Sequence, residues 1–212
     1  MKRTKFLMVV ALALVICLPG MALASIMGFD DLTANQDSNT WGFVPANYQG
    51  FTWTGFEFIT NAAFTTPYGN TGNFPSPSNA AYNGGVGNLT VTIDFGAKRD
   101  VLDAYFRSFG QNNAFQSFSA QTVTLKGLDA ADNVIDTLVV NLSAAAMVNP
   151  RINFYGVNKL SITSDRAERY WVMDNLTTVP LPPTLLLLGT GLLGLIGLRR
   201  KPRRDNSDDS IK

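Results

Sequence analysis

Seven consecutive residues, Leu89-Thr90-Val91-Thr92-Ile93-Asp94-Phe95, alternate apolar and polar side chains without a break. Successive side chains of a β-strand point to opposite faces, so the pattern predicts a half-buried strand ending at Gly96. The alternation returns at Thr122-Val123-Thr124-Leu125-Lys126-Gly127-Leu128. Residues 129–133 form a turn, and Val134-Ile135-Asp136-Thr137-Leu138-Val139-Val140 reads as the hairpin partner. Residues 101–109, 160–163 and 170–177 continue the series, and Phe51-Thr52-Trp53-Thr54-Gly55-Phe56-Glu57-Phe58 reads as a further strand. No long stretch of residues 25–178 has helical periodicity; residues 144–147 suffice for one short turn. Residues 61–86 interrupt the series, with prolines at 67, 75 and 77 and glycines at 69, 72, 84 and 85 set among Phe64, Tyr68, Phe74 and Tyr82. That composition predicts a long surface loop. Several short strands with turns between them imply an all-β fold, an antiparallel β-sandwich.

The two ends of the chain differ from this body. Lys2, Arg3 and Lys5 precede an apolar run over residues 6–18, and Pro19-Gly20 break it. Ala22 and Ala24 put small residues where signal peptidase inspects, so residues 1–24 read as a signal peptide cleaved before Ser25. Export then requires the Sec translocon and signal peptidase. Cys17, the one cysteine, leaves with the signal, and the chain has no histidine. Disulfides, thiol nucleophiles, imidazole bases and the common zinc sites are excluded from the mature body.

At the other end, Val179-Pro180-Leu181-Pro182-Pro183 leads into a Gly-rich apolar run over residues 184–198, followed by Arg199, Arg200, Lys201, Arg203 and Arg204. Basic clusters stay on the cytoplasmic side, which places the body outside the inner membrane and the tail inside. At ~1.5 Å per residue the run is short against a hydrocarbon core of roughly 30 Å, so the flanking residues complete the transmembrane helix. The prolines keep its outer end non-helical and open to cleavage. Residues 205–212 read as a disordered cytoplasmic tail.

The proline motif, apolar span and basic cluster of residues 179–204 together resemble the PEP-CTERM sorting tail of Gram-negative surface proteins. Leu181 stands where the family's Val-Pro-Glu-Pro motif has Glu. The sorting motif is thus Val179, Pro180, Leu181 and Pro182, and the five basic residues are the membrane stop. The resemblance implies an exosortase, a membrane cysteine protease-transpeptidase, as the partner that cuts near the prolines. This chain is its substrate and none of these residues is catalytic. It further implies a cell-surface or extracellular-matrix address, with a structural or adhesive body that binds exopolysaccharide. The alternatives are a permanently membrane-anchored ectodomain or a polysaccharide-active enzyme.

Residues 25–178 hold thirteen acidic and eight basic side chains, net −5, although the whole chain is +1. No basic patch supports nucleic-acid binding. No phosphate loop, nucleophile elbow or metal-histidine motif points to an enzyme. The sandwich resembles the jelly rolls of the carbohydrate-binding-module or galactose-binding-like kind. In such a fold first and last strands are neighbours, which would bring Asp30 or Asp31 near Asp174 and Asn175. Clustered carboxylate and amide oxygens suit Ca²⁺, which would staple the ends of a cysteine-free domain; the same residues also cap turns in solvent. Among the aromatics, Phe51, Trp53 and Phe58 are expected in the core. Tyr68, Phe74 and Tyr82, on the predicted loop, are candidate ligand-binding faces for sugar rings.

Overall fold

The computed structural model describes residues 23–37, 39–65, 70, 74–84, 87–110 and 116–181. The described residues fall in one compact unit, Leu23–Leu181. The expected signal-peptide run, transmembrane run, basic cluster and C-terminal tail lie outside them.

The strands are β1 (Ser25–Met27), β2 (Trp41–Phe43), β3 (Asn47–Tyr48), β4 (Phe51–Thr54), β5 (Glu57–Thr60), β6 (Asn79–Tyr82), β7 (Thr90–Ser108), β8 (Thr122–Leu128), β9 (Val134–Asn141), β10 (Arg151–Ser164) and β11 (Trp171–Pro180). One short helix, α1 (Asn61–Thr65), follows β5. Every strand pairing is antiparallel.

β7 holds the sheet together. Its first part pairs with β4 on one side (Ile93 opposite Trp53) and with β10 on the other (Ile93 opposite Leu160). Its second part keeps β10 but exchanges β4 for β11 (Phe106 opposite Met173). Between them lies Gly96, with a φ of +68° and its N–H bonded to Asp94 Oδ1 at 2.8 Å. Two steps along β10, from Val157 to Lys159, there correspond to five along β7, from Arg99 back to Asp94. A bulge of this kind bends a strand without ending it. The strand expected to stop at Gly96 therefore continues to Ser108, merging two predicted strands into one.

A second glycine acts in the opposite way. The run 51–58, read as one strand, is broken at Gly55, whose φ is +82°. Before it β4 joins β7; after it β5 joins β6 and β2. The predicted loop 61–86 also differs from expectation, because it contains α1 and β6. Thr60 Oγ1 caps α1 by accepting from Ala63 N–H at 3.2 Å. β6 lies between β5 and β11 and is buried at all four positions. β8 and β9 have the predicted hairpin pairing, Thr122 opposite Asn141 through Leu128 opposite Val134.

The alternation along β11 shows how the core is divided. Trp171 and Met173 belong to the main apolar cluster, with Trp53 and Ile93 from one half of the sheet and Phe106 from the other. Val172, between them, points to a second cluster containing Phe64, Phe74, Tyr82 and Phe109. Phe51, Trp53 and Phe58 are core residues, as expected, at 6%, 4% and 2% exposure.

Gly50 and Gly55 allow a controlled test of the corner. Both have positive φ, but a Cβ on Gly50 meets nothing within 4 Å, whereas one on Gly55 meets Val91 Cγ1 at 3.1 Å and Asn88 Nδ2 at 3.3 Å. Gly50→Ala should lose roughly 1–2 kcal/mol of stability, through the strain of a left-handed alanine. Gly55→Ala should lose more, as measured by equilibrium denaturation; equal losses would mean that the corner tolerates a side chain.

Candidate functional site

Both processing points predicted from the sequence lie at one place on the sheet. Ser25 pairs with Thr178, and β1 continues with Ile26 opposite Thr177 and Met27 opposite Leu176. On the other side of β11, Val179 pairs with Asp100 and Pro180 with Arg99 of β7. The sorting motif thus begins inside the last strand, beside the residue expected to become the new N-terminus. Pro180 is compatible with a strand end because a missing N–H there removes no central ladder bond. Ala24 and Ser25 are exposed, Leu181 is half-buried, and Ala22 and Pro182 lie outside the described residues.

The four candidate metal ligands come together only as parts of a hydrogen-bonded clasp. Asp174, on β11, is fully buried. Its carboxylate accepts Ser76 N–H at 2.8 Å, Ser76 Oγ–H at 2.8 and 2.9 Å, and Asn175 N–H at 2.8 Å. Asp30 Oδ1 accepts the N–H groups of Ser78 and Asn79 at 2.9 and 3.0 Å. Asn79 returns its amide to the carbonyls of Phe29 and Leu32 at 3.0 and 2.9 Å. Asp31 accepts the Tyr48 hydroxyl, whose oxygen also lies 2.8 Å from Gly28 O. Burial and the Asp31 carboxylate push the Tyr48 phenol well above its ordinary range. The first and last strands are neighbours as expected, and segment 76–79 joins them. Among the described residues no group of three or more His, Cys, Asp or Glu is placed to hold a metal ion.

Burial pushes the Asp174 carboxyl up to about 6, against the Ser76 and Asn175 hydrogen bonds that hold it down, with Asp30 adding to the rise. The folded chain thus holds this proton more tightly than the unfolded one. The resulting stabilisation is full below the ordinary carboxylate value of 3.8 and is lost as pH rises through about 6. Asp174→Asn, which cannot ionise, removes this dependence. The melting temperature of the native protein minus that of the variant should fall between about pH 4 and pH 7. A constant difference would show that Asp174 titrates as an ordinary aspartate.

The aromatic candidates are placed differently from expectation. Phe74 and Tyr82 are buried, at 4% and 5% exposure, in the second core cluster. The Tyr82 hydroxyl donates to Glu57. The burial arises because β6 is an interior strand and α1 covers the sheet beside it, so neither ring offers a face to a ligand. Tyr68 lies outside the described residues. Of the exposed aromatics, Phe43 meets Trp41 edge-on at 5.5 Å, and Trp41 Nε1–H donates to Asp37 Oδ2 at 2.8 Å.

A polar cleft of about 340 Å³ lies where β7 and β10 run together, lined by Leu102, Asp103, Asn149, Arg151 and Asn153. Arg151 is directly opposite Asp103, and Asp103 is opposite Thr177 on β11. Thr177 Oγ1–H donates to Asp103 Oδ1 at 2.9 Å. Bulges interrupt both flanking ladders, between Arg151 and Phe154 and between Asp174 and Thr177. Asn153 takes a φ of +51°. None of these residues was marked as a site by the sequence, because the first half of β10 had not been recognised. The signal was the buried pair Ile152 and Phe154 alternating with Arg151, Asn153 and Tyr155.

Residues 178–201 match the family model of the PEP-CTERM protein-sorting motif. The tail carries a PEP-CTERM protein-sorting motif, the signal of an exported protein processed at a membrane. No curated protein matches the sequence. Among solved structures, a fucose-binding module of Streptococcus pneumoniae aligns at 14% identity over 67% of this chain and 99% of its own, with a TM-score of 0.39. The CBM22-1 xylan-binding domain of Paenibacillus barcinonensis Xyn10C aligns at 9% identity over 76% and 97%, with a TM-score of 0.42. The K2 cleaved adhesin domain of Lys-gingipain aligns at 12% identity over 73% and 97%, with a TM-score of 0.43. These likenesses are distant; the antiparallel all-β architecture stands on the strand pairing itself.

Proposed function

We propose that this chain is an exosortase substrate whose body is a non-catalytic module of the cell surface or extracellular matrix, with exopolysaccharide as its partner. The observation that carries the reading is the sorting motif over residues 178–201, continuous with β11 and paired beside Ser25. The exosortase would cut within residues 179–183 and release or transfer a body whose two ends emerge together. Before that cut the tail would hold the body at the inner membrane. We read the body as a jelly roll, in keeping with its antiparallel pairing and a core shared by both halves of the sheet.

The non-catalytic reading is supported by chemistry. The chain has no histidine. Asp174, the carboxylate pushed towards neutrality, is fully buried and reaches no substrate. A structural calcium ion would have to draw on oxygens of Asp30, Asp31 and Asp174 that already accept hydrogen bonds. The calcium staple requires a melting temperature that rises with calcium and falls back with chelator. The hydrogen-bonded clasp does its work without either change.

Intact-mass analysis of the protein from its native host, with and without the exosortase, tests the sorting reading. The expected product begins at Ser25 and ends within residues 179–183 only when the enzyme is present. A mass that always retains residues 199–212 would instead make the protein a fixed membrane ectodomain. The pairing of Val179 and Pro180 with β7 adds a kinetic prediction. A flexible Gly-Ser spacer inserted between Thr178 and Val179 frees the motif from the sheet and should speed processing several-fold in a pulse-chase experiment. Unchanged processing would mean that the enzyme needs no strand release.

A further inference from the structure

We propose that the cleft between β7 and β10 binds a sugar unit carrying a carboxylate, with Arg151 holding that carboxylate and Asp103, Asn149 and Asn153 holding hydroxyl groups. The inference rests on the polysaccharide reading above and gives it a site. Residues directly opposite in neighbouring strands share a face, so Arg151, Asp103 and Thr177 form a row across β10, β7 and β11. The Thr177 bond fixes one Asp103 oxygen at 2.9 Å and leaves Oδ2 to accept from a ligand.

Arg151 is exposed and takes part in none of the ion pairs among the described residues, although it faces Asp103. A guanidinium beside a carboxylate yet unjoined to it leaves its planar fork available. That fork matches an incoming carboxylate with two parallel hydrogen bonds. The primary amides of Asn149 and Asn153 each present a donor and an acceptor, the set that adjacent sugar hydroxyls require. The bulges and the left-handed Asn153 re-aim side chains towards the cleft, as bulges beside binding sites do. Its volume, about 340 Å³, falls within the roughly 300–1,000 Å³ of small-ligand sites.

The charges of Arg151 and Asp103 cancel, and the body between the two terminal signals is net negative. Bulk attraction therefore does not draw in polyanions. Recognition has to be local, with the carboxylate on the Arg151 side and hydroxyls on the other.

Calorimetric titration of the processed protein from its host tests the site, using uronate oligosaccharides (galacturonate, glucuronate and mannuronate), their methyl esters and neutral galacto-oligosaccharides. Binding of a uronate series is expected, weakened at least tenfold by methyl esterification and to a similar degree by Arg151→Gln. Asp103→Asn should weaken the acid and its ester alike. Melting temperatures of both variants should stay close to that of the native protein, since Arg151 is exposed and the Asn that replaces half-buried Asp103 keeps an oxygen to accept from Thr177. Failure of every uronate to bind, or an affinity that esterification and Arg151→Gln both leave intact, overturns the site. If a neutral oligosaccharide then binds, the polysaccharide reading survives with its site elsewhere, for example at Trp41 and Phe43. If the host's own matrix polysaccharide also fails to bind, that reading falls with the site.

Discussion

The bend of β7 is the constraint on which the rest of the fold depends. One continuous strand of 19 residues takes part in both halves of the sheet, with β10 alongside it as far as Asp103. β10 pairs with β7 on both sides of Gly96, at Thr90–Asp94 and again between Arg99 and Asp103, so the two strands together carry the sheet past the bend. Because the strand continues, Ile93 and Phe106 reach the same core, and Trp53 and Trp171 meet there through Phe56. The bend requires a residue that takes positive φ at little cost, and Gly96 provides it where a Cβ would meet nothing within 4 Å. The requirement at this glycine is conformational rather than steric.

A body without cysteine has to close its ends by other means. β1 has only three residues, too few to hold itself in place through ladder bonds alone. The clasp of Asp30, Ser76, Asn79 and Asp174 supplements them by joining the start of the chain, the segment before β6 and the last strand. Its energetics are two-sided. Burying the Asp174 charge is costly, and the donors of Ser76 and Asn175 offset that cost. Removing one partner would leave a buried group unsatisfied, so the arrangement specifies the meeting of three distant segments more strongly than it stabilises them.

How far the structure was legible in the sequence depended on whether a residue's role was local. The hairpin of β8 and β9 was legible because seven-residue alternation and a turn carry their own register. The cores around Trp53 and Ile93 followed from the same period. Gly55 and Gly96 could not be distinguished by inspection, since both adopt positive φ; one ends a strand and the other bends it because of what pairs on either side. β6 was hidden because Asn79-Ala80-Ala81-Tyr82 has no alternation, being buried on both faces, and that concealment turned Phe74 and Tyr82 from candidate binding faces into core. The meeting of Asp30 with the region of Asp174 was anticipated from topology. The part played by Ser76 was not, because a contact across 98 residues leaves no trace in spacing. The cleft was not legible for a related reason, as only residues 160–163 read as a strand, whereas β10 begins at Arg151.

Fold and sorting signal share residues at the end of β11. β11 runs to Pro180 in pairing with β7, and the sorting motif has already begun at that point. Val179 and Pro180 are therefore ladder residues of the sheet as well as residues of the motif. The same strand carries Thr177, whose hydroxyl donates to Asp103 across from Arg151. Thr177 lies two residues before Val179 on the same strand. Pulling Val179 and Pro180 away from β7 would break the ladder next to Asp103 and Thr177, so release of the motif and the row across the cleft are linked through one strand.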